Sequence, residues 1–157
     1  ENLKKLETLS LENNQLTSVK GLEKLTQLRN LSLARNQLTD VKGLEKLTQL
    51  EKLRLDENEL TDVKGLEKLT QLRELHLAKT GVGDEGLAHL RSLTRLRIIS
   101  LADTQITDAG LKHLAAVRSL RQIFLYPTKV TDAGVAELKA ALPGVHLPKS
   151  SPIVPKQ

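Results

Sequence analysis

The sequence predicts a repeat solenoid, in which stacked copies of one small unit each add a short strand to a sheet. Three observations carry this prediction. Residues 39–50 and 61–72 are the same twelve letters, TDVKGLEKLTQL, and residues 17–28 differ from them only at Ser18. Leucines keep a period: Leu6, Leu28, Leu50 and Leu72 are 22 apart, and Leu72, Leu96 and Leu120 are 24 apart. Between the constant blocks the chain varies sharply, since RNLSLARNQL at 29–38 becomes EKLRLDENEL at 51–60. Self-similarity at a fixed period is the sequence mark of a repeat architecture.

The copies run in order as LETLSLENNQL from Leu6, LRNLSLARNQL from Leu28, LEKLRLDENEL from Leu50, LRELHLAKTGV from Leu72, LRIISLADTQI from Leu96 and LRQIFLYPTKV from Leu120. In each LxL the two apolar residues share one side of a strand, and the residues between them face the other way. One copy cannot bury those leucines alone, but stacked neighbours can. Strands are therefore expected around Leu9, Leu31, Leu53, Leu75, Ile99 and Ile123, and a weaker one around Val145. The spacing GLEKLTQL places leucine at every third position, which suggests a 3₁₀-like turn on the opposite side. In later copies TDAGLKHLAAVRSL has the length for about two turns of α-helix, with Thr107 or Asp108 as N-cap. Asn14, Asn36 and Asn58 form a ladder that Thr80, Thr104 and Thr128 continue. An asparagine amide offers donors and an acceptor to turn backbone that is otherwise buried unpaired, and threonine does less of this.

This six-fold pattern resembles the leucine-rich repeat family over about residues 3–147. The first three copies are similar to the 22-residue class of internalin-type proteins. The last three are similar to the ITDxGL class of F-box proteins, without its cysteine. The resemblance implies an α/β fold, a right-handed horseshoe arc with a parallel sheet on its concave side and 3₁₀ or α segments on its convex side. Residues 1–147 are expected to form the repeat domain. Residues 148–157, with three prolines and paired serines, are expected to form a disordered tail. Glu1–Leu6 matches the tail of a preceding copy, and no polar cap covers Leu9 and Leu11. A fragment of a longer array is expected, able to self-associate through its open N-terminal end.

Composition narrows the function classes. The chain carries a net charge of +5, and 39% of its residues are hydrophobic. It has no cysteine, hence no disulfide or thiolate metal site, which fits a reducing compartment. No apolar run approaches the ~18 residues of a membrane helix. Gly81–Gly86 matches GxGxxG, but Asp84 and Glu85 put negative charge where a phosphate would sit, and the repeat register alone explains Gly86, Gly110 and Gly134. Asp84, Asp108 and Asp132 recur every 24 residues, yet one carboxylate per copy falls short of the six or so oxygens that calcium takes. No histidine is spaced with a second ligand or beside a nucleophile, so neither an enzyme nor a cofactor is expected.

The concave positions are the remaining candidates for function. Asn30, Ser32, Lys52, Arg54, Asp56, Glu74, His76, Ile98, Ser100, Phe124 and Tyr126 all fall on or beside a strand, on its outward side. Their charges are mixed, which argues against a nucleic-acid stripe. The only two aromatics, Phe124 and Tyr126, close the row as expected interface anchors, unless the tail around Ile153 and Val154 folds over them. Copies two and three differ only on or beside the strand, whereas drift would scatter changes over every exposed position. The reading is a protein-binding module whose concave face selects a protein partner. The alternative is a structural spacer or self-assembling element.

Overall fold

A computed structural model describes residues 2–148 of the chain. Six strands of three residues each carry the repeat: β1 Thr8–Ser10, β2 Asn30–Ser32, β3 Lys52–Arg54, β4 Glu74–His76, β5 Ile98–Ser100 and β6 Gln122–Phe124. They make one open sheet in chain order, and every neighbouring pair is parallel. The register stacks Leu9, Leu31, Leu53, Leu75, Ile99 and Ile123 directly over one another. The expected seventh strand shrinks to a single bridge between Gln122 and His146. Leu142-Pro-Gly precedes it, and proline has no N–H to extend a ladder.

The connections behind the sheet differ between the two halves as the leucine spacing predicts. The early turns are short 3₁₀ segments at Leu22–Lys24, Leu44–Lys46 and Leu66–Lys68. Each is entered through a left-handed glycine, with φ of 97° at Gly21 and 108° at Gly43 and Gly65. Each glycine donates its N–H to the glutamate two residues on, at 2.6 Å. The fourth turn lengthens to a 3₁₀ segment at Asp84–Leu90. The last two become α-helices, α1 Asp108–Leu114 and α2 Asp132–Ala141. Thr107 is the N-cap of α1, its hydroxyl accepting from the Ala109 N–H.

Between sheet and convex turns lies one continuous core, almost wholly of leucine with some valine and isoleucine. Leu9 and Leu11, expected bare, are half-buried instead, because β2 and its turn cover one side of them. Leu3 remains 69% exposed. The Leu3 carbonyl accepts the Leu6 N–H just as Leu47 accepts Leu50, so the expected alignment of these turns holds. The proposed tail over the aromatics lies outside the described residues.

The ladder runs through this core. Asn36, 7% exposed, donates to the carbonyls of Leu11, Leu33 and Ala34 and accepts from the Leu16 N–H. Asn58 repeats the set one turn on, with Leu33, Leu55, Asp56 and the Leu38 N–H. Thr80 and Thr104 bond only the carbonyl three residues back in their own turn. The residue before each ladder position takes a positive φ near 55°, from Asn13 to Asp103. In the sixth turn that residue is Pro127, whose ring excludes positive φ, and Thr128 is half-buried without the carbonyl bond of its counterparts.

Candidate protein-binding site

The concave face carries three rows of outward positions, one of them led by Thr8, Asn30, Lys52 and Glu74 at the strand starts and two beyond it. The first of these two runs Ser10, Ser32, Arg54, His76, Ser100 and Phe124, as the strand register requires. The second lies two residues further on, from Glu12 to Tyr126. A hydrogen-bonded network joins these two rows across three turns. Glu12 Oε1 accepts from Ser32 Oγ and from Arg54 Nη1, each at 2.6 Å. Arg54 spans two repeats to reach it, because the intervening Ser32 and Ala34 are small. Arg54 Nε also donates to Asp56 Oδ2 at 3.3 Å, and Asp56 Oδ1 accepts the Ala78 N–H. Alongside, Lys52 Nζ pairs with Glu74 Oε2 at 2.8 Å, and Asn30 Nδ2 donates to Thr8 Oγ1.

Arg54 retains 21% side-chain exposure within this network. A guanidinium held by two carboxylates in a fixed fork loses little further freedom when a partner arrives. The Glu74 carboxyl is desolvated, but its bond to Lys52 and the nearby positive charge hold its pKa below the ordinary value. Burial pushes the His76 imidazole below its ordinary value of 6.5, against the pull of Asp56. His76 Nε2 and Ser100 Oγ are buried without a hydrogen-bond partner, and the two residues sit opposite each other across β4 and β5.

Several expectations about this face need correction. Phe124 is 6% exposed and Ser100 is buried, so neither presents free surface. Strand alternation fixes the side a residue faces and says nothing about how deeply it is covered there. Tyr126 is half-buried and packs against the core. Asn30 is exposed, while Ser32, Lys52, Arg54, Asp56, Glu74, His76 and Ile98 are partly exposed. The face therefore grades from open and polar at β1–β2, through a charged middle, to covered and apolar at β5–β6.

The recurrent aspartates are engaged in packing. Asp84 accepts the Thr107 N–H at 2.8 Å and the Thr107 hydroxyl at 2.6 Å, and Asp108 does the same for Thr131. The 24-residue recurrence of these acids reads as a weak calcium ladder in the sequence and does not show the stitch to the next turn, although TD recurring at 24 residues is its signal. Of the histidines, His89 lies 3.5 Å from Asp62, and His113 Nδ1 lies 2.6 Å from an Arg91 nitrogen. Among the described residues no group of three histidines or carboxylates is placed to hold a metal. No helix there is long and apolar enough to cross a membrane.

Comparison with known proteins agrees with this geometry. A family model described as leucine-rich repeats in two copies matches residues 4–46, and one described as a leucine-rich repeat matches residues 68–90 and 88–115. No curated protein sequence matches. Among solved structures, the chain is similar to an internalin, InlF, from Listeria monocytogenes, with a TM-score of 0.68 and 23% identity over 97% of this chain. It is also similar to internalin C2 from the same organism, with a TM-score of 0.64 and 27% identity over 90% of this chain. The match spans 50% of the first internalin chain and 69% of the second.

Proposed function

The chain belongs to the leucine-rich repeat family, and on that premise we propose that it binds a protein partner through the concave face of its sheet. Proteins of this family generally mediate protein–protein interaction and are typically not enzymes. The observation that carries the finer reading is the Glu12–Ser32–Arg54–Asp56 network. It lies where neighbouring repeats differ, and it fixes charged groups in place before any partner arrives. Arg54, Asp56, Glu74 and His76 set specificity in the middle of the face, with Asn30, Ser32 and Lys52 at its open end. Ile98 and Tyr126 supply apolar contact at the other end, over a floor of Ser100 and Phe124.

Size bears on how the face is used. Six strands at ~4.8 Å give a sheet roughly 24 Å from first to last. A standard interface covers ~800 Å² on each partner, so the partner also touches the loops that flank the strands.

Site-specific crosslinking tests the reading. A photoreactive residue at Ser32 or His76 is expected to label a discrete protein partner. The same residue at convex Lys46, exposed in a constant block, is expected to label none. Labelling from Lys46 alone would overturn the concave assignment. A second reading, self-association at the β1 end, rests on the open edge of that strand and on the exposed Leu3. Sedimentation velocity of Leu3→Lys against the parent chain tests it, because an association that depends on this edge should be lost in the variant.

A further inference from the structure

The second position of each copy, just before the strand, carries a charge pattern outside the concave face. It reads Glu7, Arg29, Glu51, Arg73, Arg97 and Arg121. These residues stack turn on turn, because Arg73 N–H donates to the Glu51 carbonyl, Arg97 to Arg73 and Arg121 to Arg97. In the first half the signs alternate and the charges neutralise one another. Glu51 pairs with Arg29 at 2.7 Å and with Arg73 at 3.4 Å. In the second half the alternation stops, and three arginines follow without an acid between them.

The neighbouring position changes in the same place. Gln27, Gln49 and Gln71 are followed by Arg95. Arg73, Arg95, Arg97 and Arg121, with Thr94 and Ser119, line an open groove of about 580 Å³. Among the described residues no carboxylate lies within ion-pair distance of Arg95, Arg97 or Arg121. Arg95 is steadied by Gln71 Oε1, and Arg121 by the carbonyls of Arg118 and Leu120. Like charges on neighbouring strands repel, and a bound anion would offset that cost.

We propose that this edge binds an acidic polypeptide segment presenting two carboxylates. Three turns at ~4.8 Å set the arginine row at roughly 10 Å. Alternate residues of an extended peptide lie about 7 Å apart, so two carboxylates fit within the row. Each guanidinium can hold a carboxylate through two parallel bonds. A nucleic acid fits less well. The groove offers no aromatic side chain for a base to stack on, and the row is short beside the six or so phosphate contacts common in such complexes. This surface is separate from the concave face and stands whether or not that face binds a protein.

Fluorescence anisotropy with a labelled hexaglutamate peptide tests the proposal, with a hexaglutamine peptide and a short oligothymidylate as comparisons. Hexaglutamate is expected to bind at low salt and to weaken as salt rises, and hexaglutamine to stay free. Arg97→Glu should weaken hexaglutamate at least about tenfold, whereas reversal at convex Lys46 should change it less than about twofold. Circular dichroism checks that Arg97→Glu remains folded, and Arg97→Gln, with no reversed charge, should give a smaller loss in the same direction. Equal losses from Lys46→Glu and Arg97→Glu would reduce the effect to net charge and overturn the assignment. No binding of hexaglutamate at low salt would overturn it, as would tighter binding of the oligothymidylate that Arg97→Glu removes.

Discussion

In the 22-residue turns Asn36 and Asn58 bond across to the preceding turn through the loop that follows the strand. In the 24-residue turns that position is threonine, and the cross-turn bonds move to the convex side, from Asp84 to Thr107 and from Asp108 to Thr131. In each half a buried or half-buried polar side chain at one recurring position bonds the neighbouring turn. The convex stitch also explains a sequence difference. A Cβ at Gly110 would collide with Asp84 Oδ1, and one at Gly134 with Asp108 Oδ1. Glycine in TDxGL thus makes room for the acid of the preceding turn. The left-handed Gly43 and Gly65 of the early turns have a different task, set by backbone φ.

The junction between the halves differs from both. Asp62 stands where Asp84 stands one turn later, but it faces Gly83 instead of a threonine. It turns back to cap the Val63 and Lys64 N–H groups. Thr80 has meanwhile given up the cross-turn bonds of asparagine. The junction between the third and fourth turns therefore lacks both devices.

These differences rank a set of variants. Asn58→Ala leaves the Leu55 carbonyl and the Leu38 N–H without their side-chain partner and removes one of two bonds to the Leu33 carbonyl, and should cost about 3 kcal/mol in urea unfolding. Convex Gln49→Ala, the control, should cost almost nothing; equal costs would mean that the ladder contributes no specific stability. Gly110→Ala should cost about 2 kcal/mol by forcing Asp84 off Thr107. Gly83→Ala, with no atom within 4 Å of the added Cβ, should be close to neutral.

Gly83→Thr should build the missing stitch. Gly83 already has the backbone of a capping threonine, with φ −109° and ψ −173° against −119° and −175° at Thr107. A gain of about 1 kcal/mol is expected from the new bonds to Asp62 and a stiffer unfolded chain. A loss would show that the two junctions are not equivalent.

The smallest expected effect is a pH dependence in the charged middle of the face. The pKa of His76 is lowered in the folded chain by burial. The unfolded chain therefore takes up the proton first as pH falls. Stability from this group should be complete above the ordinary value of 6.5 and decline as pH drops below it. Urea midpoints at several pH values should show that slope, and His76→Gln should flatten it.

Most of the scaffold was legible because its signals are local and repeated. Six strands centred on leucine or isoleucine and the every-third-leucine turns follow from spacing, which left the cap of α1 open between Thr107 and Asp108. Other features depend on contacts between turns. Asp84 and Thr107 are 23 residues apart, and only the stacked structure sets them side by side. Arg54 and Glu12 are 42 residues apart and meet because Ser32 between them is short. Phe124 was correctly placed on its strand, but depth depends on what packs over a strand, which alternation does not encode. The arginine edge was readable once the copies were aligned, as a column going from alternating signs to one sign.

The central claim is that constant positions build this molecule while variable strand positions read a partner. Calorimetric titration of the crosslinked partner tests it most directly, using a chain with Lys52→Asn, Arg54→Ser and Asp56→Ala. These are the residues of the preceding turn, so the fold is already known to accept them. The account predicts an affinity at least about thirtyfold weaker, with the melting temperature almost unchanged. An affinity equal to that of the parent chain would contradict it.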